Sequence, residues 1–214
     1  MPFVSIEGID GSGKTTQTDL LATSLRARGF NVLRTKEPDG GWMGAEIRSI
    51  LIRDRGAPLS PQEEMLLVFA ARYNHVHQVI RPMLEAGDWV VTDRFVDSTF
   101  AFQVFNNGVS EAAFNAIRSE ILGETIPDFT FILDIDPETA LNRRSIRNGK
   151  DTDDPAEATR NFKRIQNGFL EIASREPGRC HVVDATASPH EVAKMIMATI
   201  DESRAGSLVP NFIS

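Results

Sequence analysis

The stretch GIDGSGKTT, residues 8–16, constrains the fold of this chain more than any other. Its spacing Gly8-x4-Gly13-Lys14-Thr15 fits the phosphate-cradling pattern G-x-x-x-x-G-K-[ST], which works only between a strand and a helix. Both flanks comply. FVSI at 3–6 is a short apolar run that leads directly into the loop, and Leu20, Leu21 and Leu25 recur at helical spacing until Gly29 stops the run. Gly8, Gly11 and Gly13 open backbone conformations closed to other residues, so successive N–H groups can face phosphate oxygens at the positive end of the next helix. Lys14 supplies a mobile charge for the β- and γ-phosphates. The Thr15 hydroxyl is a magnesium ligand in this pattern, and Ser12 and Thr16 complete the ATP-facing loop.

The rest of the chain alternates strands with helices. NVLR (31–34), WVVT (89–92), FTFIL (129–133) and HVVD (181–184) are short, mostly apolar strand segments. SPQE (60–63) and SPHE (188–191) each combine a capping serine, a proline at the first helical position and an acid that completes a capping box. Asp136-Pro137 starts a further helix. The helix that begins at SPQE is expected to bend or end at Pro82, with Gly87 closing the segment. The expected fold is α/β: a three-layer P-loop NTPase fold with a five-stranded parallel sheet flanked by helices and a short lid. The expected organisation is one domain over 1–214, with the lid at about 143–157 and a frayed tail at 204–214.

Composition narrows the partners. The formal net charge of −7 argues against a broad nucleic-acid surface, yet a few cations focused in one cleft can still hold a small phosphorylated ligand. No apolar run approaches the length of a membrane span, no secretory signal is visible at the N-terminus, and Cys180 is the single cysteine. A cytoplasmic location is the expectation.

A phosphate loop serves several classes. A guanine-reading N-K-x-D would mark a GTP switch, but NGKD at 148–151 has those letters in another order and reads as a turn. FTFILDID fits the acid-ended strand of a mechanical ATPase. A small-molecule kinase needs a second basic site for an acceptor phosphate, and DRF at 93–95 offers one at a strand end, where α/β sheets bind ligands. There Asp93 can serve magnesium and Arg94 can clamp a phosphate with two hydrogen bonds; taken alone, the same pair is also a surface ion pair.

In the order IEGIDGSGKTTQ, TKEPDGGWMGAEIR, FAARYNH, DRFVDSTFAFQ, PDFTFILDIDPETAL, FLEIA and VVDA, the chain resembles the bacterial thymidylate kinases among P-loop nucleoside-monophosphate kinases. The resemblance implies transfer of the γ-phosphoryl group from ATP, with Mg²⁺, to dTMP, giving dTDP and ADP, in a homodimer. It implies that Asp10 meets the 3′-hydroxyl side of the acceptor, that Glu37-Pro38 forms the turn beside it, and that Arg48 and Arg94 bind its phosphate. Arg72 would read the thymine edge, Ser98, Thr99 and Gln103 would line the acceptor, and Phe102 would crowd a 2′-hydroxyl. For Arg48 a solvated helix face, and for Phe102 a place in the core, explain the residue equally well.

Three departures stand out. The family's base-stacking Phe precedes the matching arginine by four residues; that position is Val68 here, with Phe69 one step later, about a 100° helical turn away. The phosphate loop lacks arginine, so lid arginines are expected, and the segment 143–157 offers Arg143, Arg144, Arg147 and Lys150, with Arg147 the choice for the transition-state charge and a solvated helix end the alternative reading of it. DGGW at 39–42 replaces the more usual Pro-Gly-Gly-Thr. Two rivals follow: a kinase for another or modified deoxynucleoside monophosphate, and a nucleotide-dependent switch without phosphotransfer.

Overall fold

A computed structural model describes residues 2–53, 57–148 and 160–206, without the side chains at 147, 148 and 204–206. Arg147 as a side chain, the lid segment 149–157 and the tail from 207 therefore lie outside the described residues.

Five strands, β1 (Phe3–Glu7), β2 (Val32–Lys36), β3 (Trp89–Asp93), β4 (Phe129–Asp134) and β5 (Cys180–Asp184), form one parallel sheet in the order β2-β3-β1-β4-β5. All five residues of β1 and of β3 are buried, as continuous apolar strands covered on both faces require. Parallel pairing needs crossovers, and helices supply them. These include α1 (Lys14–Ala27), α2 (Trp42–Ile52), α3 (Pro61–His75), α4 (Arg81–Glu85), α5 (Val96–Thr99), α6 (Glu111–Leu122), α7 (Pro137–Asn148), α8 (Phe162–Arg175) and α9 (Pro189–Gly206). The expected α/β architecture is the observed one.

The capping signals act as read. The Ser60 hydroxyl accepts from the Glu63 amide and the Glu63 carboxylate accepts from the Ser60 amide. Ser188 and Glu191 repeat the exchange at the start of α9. Pro82 does not end the helix, because helix continues from 61 to 85. A π-helical stretch, Val76–Ile80, precedes Pro82, and the Arg81 amide donates to the Val76 carbonyl five residues back. The wider turn and Pro82's place at the start of α4 remove the clash and the missing donor that would break a regular helix. A second π-helical stretch, Phe100–Asn106, extends α5.

The sheet order puts β1 at the centre, so the carboxyl ends of β1 and β3 open side by side. Everything below is built on those two ends.

Candidate active site

β1 delivers the glycine loop. Gly13 caps α1 at φ 99, and a Cβ on Gly11 (φ 89) would overlap the Ala140 carbonyl of α7, so only glycine lets the loop lie this close to its neighbour. Lys14 folds back over the loop, donating to the Ile9 carbonyl at 2.9 Å, with its Nζ 3.7 Å from Asp10 Oδ1.

β3 delivers Arg94, the one non-glycine residue with positive φ (71) among the described residues. Such a conformation is sparsely populated for a side-chain-bearing residue and persists only when its surroundings hold it. Here the Arg94 amide donates to the Ile6 carbonyl, and the Arg94 carbonyl accepts from the Thr92 hydroxyl. The guanidinium is thereby turned back over β1. It donates to the Gly8 carbonyl (3.1 Å), the Ser98 hydroxyl (3.0 Å) and Asp10 Oδ1 (2.5 Å). Arg160 adds a third cation, 3.8 Å from Asp10 Oδ2, and it and Arg94 both lie over the Phe102 ring.

Three cations thus converge on one carboxylate. Burial works against the ionised form of Asp10, but Arg94, then Lys14 and Arg160, overrule it and hold the carboxyl well below the usual range. Lys14 is pulled down to about 8, first by burial and then by its neighbour Arg94. An acidic chain has focused its positive charge at one point, where an anion is the natural guest. Next to it, the Thr15 hydroxyl donates to Asp93 Oδ2 at 2.6 Å, which joins the two residues expected to serve magnesium.

Behind the β2 and β3 ends, Arg72 is 1% exposed and each guanidinium nitrogen has a partner: Nε donates to Glu37 Oε2 (2.8 Å), Nη1 to Thr99 Oγ1 (3.0 Å) and Nη2 to the Phe95 carbonyl (3.1 Å). Glu37 also holds His75 Nδ1 at 3.2 Å, while His75 Nε2 meets the Thr35 hydroxyl. Burial opposes the charge on Glu37, yet Arg72 and His75 keep its carboxyl below the usual range. Pro38 follows in a cis peptide. Phe69 is 1% exposed, packed on Phe114 and beneath the Arg72 guanidinium, so its ring is taken up by the core. Gln103 donates to Glu64 at 3.2 Å, and the half-exposed Arg48 lies 4.0 Å from Asp39. Trp42 is exposed at the start of α2.

A cavity of about 380 Å³ lies between the glycine loop, α7 and the segment after β5, lined by Gly11, Ser12, Thr16, Gln17, Arg144 and Pro189 among others. Arg143 pins that segment by donating to the Ala185 and Thr186 carbonyls, and Gln17 donates to the Pro189 carbonyl. The sequence pointed to Gly11, Ser12, Thr16 and Arg144 but not to Gln17 or residues 185–189 as part of this cavity, where Ser188 and Pro189 read only as the start of α9. Nor did it point to Arg160, which sits beyond the arginine cluster of α7, or to Glu7, whose only signal is an acid at the end of an apolar strand.

Comparison with known proteins places this geometry. The family model for thymidylate kinase matches residues 6–196. Among curated relatives, the thymidylate kinase of Methylococcus capsulatus is 38% identical over 204 residues, covering 95% of this chain and 97% of that protein. The thymidylate kinase of Afipia carboxidovorans is 41% identical over 209 residues, covering 96% and 91%. The crystal structure of thymidylate kinase from Ehrlichia chaffeensis superposes with a TM-score of 0.73 at 29% identity, covering 93% of this chain and 98% of that one. Matched by the family model over residues 6–196 and by curated relatives near 40% identical over nearly its whole length, the chain belongs to the thymidylate kinase family, the enzymes that pass the γ-phosphoryl group of ATP to dTMP.

Proposed function

We propose that this cleft carries out that transfer with the donor phosphates on Lys14 and the acceptor phosphate on Arg94, meeting where Asp10 now stands. One observation carries the reading: Lys14 Nζ and Arg94 Nη2 address the same oxygen, Asp10 Oδ1, at 3.7 and 2.5 Å. An anion at that point is within reach of both cations, which lets them hold the two phosphates next to each other, as phosphoryl transfer requires. The glycine loop (Gly8 to Thr16) wraps the phosphates, and the 380 Å³ cavity beside Arg144 takes the adenosine end of ATP. Thr15 and Asp93 offer adjacent oxygen ligands, the hard donor set magnesium prefers. When bound, the ion neutralises charge on the phosphates.

Glu37, with Pro38 beside it, holds Arg72 in place, and Arg72 presents the acceptor base with a fixed edge shared with Thr99. Phe69 braces Arg72, Phe102 floors the Arg94 and Arg160 guanidinia, and Ser98 orients Arg94. Gln103 and Arg48 border the acceptor site. Asp10 spaces the three cations in the empty cleft and meets the acceptor sugar when it is filled. The transition-state charge on the transferring group falls to Arg160, because its guanidinium already reaches the cluster.

The whole chain acts as one kinase domain, as a cytoplasmic homodimer that does not use nucleic acid. Among the described residues no helix is long and apolar enough to cross a membrane. The homodimer is supported by large apolar side chains left exposed on neighbouring helices, Trp42 on α2 and Leu66 and Tyr73 on α3.

Two experiments test the reading. In a panel of dTMP, dUMP, dGMP and dCMP with ATP, dTMP is expected to give the highest kcat/KM; a strong preference for another base overturns the assignment of the acceptor. Arg160→Ala is expected to lower kcat about a hundredfold with little change in the KM for ATP, the signature of a contact made in the transition state. An unchanged kcat removes Arg160 from the mechanism.

A further inference from the structure

Glu7 is fully buried at the end of β1 and has no role in the mechanism above. It is nonetheless completely engaged. Oε1 accepts from the Phe95 amide at 2.6 Å and the Ser5 hydroxyl at 2.9 Å, and Oε2 accepts from the Ser98 hydroxyl at 2.6 Å. Two of these donors flank Arg94. The Phe95 amide belongs to the peptide that follows the strained Arg94 backbone, and the Ser98 oxygen accepts from Arg94 Nη1. A hydroxyl that donates its single proton to a carboxylate must turn its lone pairs elsewhere, and here one of them meets the guanidinium.

We propose that Glu7 is the positioning residue that aims Arg94 at the acceptor phosphate, acting through the Ser98 hydroxyl and the Phe95 amide. It grips both ends of Arg94: the backbone, at φ 71, through the neighbouring amide, and the guanidinium through the serine. The carboxylate accepts from all three donors with no proton of its own to place. When a proton on Oε2 is donated to Ser98, the hydroxyl accepts from Glu7, its own hydrogen loses that partner, and the orientation of its lone pairs toward Arg94 is no longer enforced.

The surroundings put that protonation in an accessible range. Glu7 is pushed up to about 7, first by burial and then by Asp97, against the opposing pull of the Ser98 hydrogen bond, Arg94 and the Phe95 amide. The other charged or titratable groups that feel it are Lys14 on α1 and Cys180 on β5, whose thiol burial pushes up to about 12. Asp97 on α5 is itself held by Arg179 through two hydrogen bonds of 2.8 Å. A carboxylate whose pKa is raised by folding weakens the fold as pH rises from the unfolded value, about 4.3, to the folded one. Ionised Glu7 is therefore retained against stability, which sets it apart from a merely structural acid.

The inference rests on the reading of Arg94 as the acceptor clamp, and the test separates the two. The full chain and its Glu7→Gln, Ser98→Ala, Glu7→Gln/Ser98→Ala and Arg94→Ala variants are assayed for the KM of dTMP and of ATP at about pH 6 and about pH 8.5, with thermal melts alongside. At the higher pH, Glu7→Gln is expected to raise the KM for dTMP about tenfold, the size of one charge-assisted hydrogen bond, and to leave that for ATP within about twofold. The ratio of variant to parent should fall toward unity at the lower pH, where the parent's Glu7 already carries its proton; titration of the substrates is common to both and cancels. Ser98→Ala should match Glu7→Gln, and the double variant should be no worse than either. The Glu7→Gln melt at the higher pH should equal or exceed the parent's.

A Glu7→Gln variant with an unchanged KM for dTMP, or with dTMP and ATP affected alike at both pH values, overturns the proposal. If Glu7→Gln does not fold, Ser98→Ala decides alone, and an unchanged KM for dTMP there overturns it. If Arg94→Ala leaves the KM for dTMP unchanged, the clamp reading itself is wrong. If Arg94→Ala raises it and neither Glu7→Gln nor Ser98→Ala does, only the role of Glu7 fails.

Discussion

Replacing Lys14 with alanine is expected to lower kcat about a thousandfold while leaving a folded protein. The lysine is 7% exposed and its charge is aimed at the centre of the cluster, so no other side chain can take its place over the donor phosphates. Its removal does not strand a buried charge, because Asp10 keeps Arg94 at 2.5 Å and Arg160 at 3.8 Å. The melting temperature should therefore move by no more than about 3 °C. Steady-state kinetics with ATP and dTMP, paired with a thermal melt, make the check. Near-normal turnover in a folded Lys14→Ala variant would refute the assignment of the donor site.

The second large effect concerns stability. Glu37→Ala removes the only carboxylate bound to Arg72 among the described residues, leaving a guanidinium that is 1% exposed without its counter-charge. Breaking a buried pair from one side costs about 3–5 kcal/mol. For a chain of this size that is a fall of about 10 °C in melting temperature. Arg72→Ala strands Glu37 in the same way, with only His75 left beside it. The double variant should be less destabilised than the sum of the singles, because no unpaired charge remains. The sign of the pH dependence follows from the depressed carboxyl of Glu37. Its contribution is present above the ordinary carboxylate value, about 4.3, and is lost as pH falls through the folded-state value. The gap in melting temperature between the parent and Glu37→Ala should narrow as the solution is acidified below about pH 4. A gap that widens in acid, or a loss well under 1 kcal/mol, would mean that the pair is not the buried network described.

The two predictions differ in kind because the two cations differ in surroundings. Lys14 shares its carboxylate with two other cations, so losing it removes function and spares the fold. Arg72 has its carboxylate almost to itself, so losing the carboxylate removes both.

Much of this was legible before any coordinates. The glycine loop, the flanking strand and helix, the two capping boxes and the five strand segments are local signals, written in residues adjacent in sequence or one helical turn apart. DRF could be placed at a strand end, and with it a second anion site. Three further points were decided by tertiary packing alone. Phe69 is one position away from the expected stacking residue, and which side of α3 it occupies depends on Phe114 and on the guanidinium of Arg72. Pro82 does not stop its helix, because the π-helical stretch Val76–Ile80 absorbs it. The cavity wall at 185–189 reads in sequence only as a strand end followed by a helix cap, and becomes a wall only when Arg143 and Gln17 reach it.

What the sequence determined by itself was the kind of fold and the two candidate phosphate sites, the glycine loop and DRF, since backbone periodicity, caps and a glycine loop act over a few residues. What only the tertiary structure decided was how those sites are aimed. Glu7 and Ser98 are 91 residues apart, and Arg94 and Asp10 are 84 apart. They meet because β1 and β3 are neighbours in the sheet, and hydrogen bonds act over about 3 Å of space, whatever the length of chain between their partners.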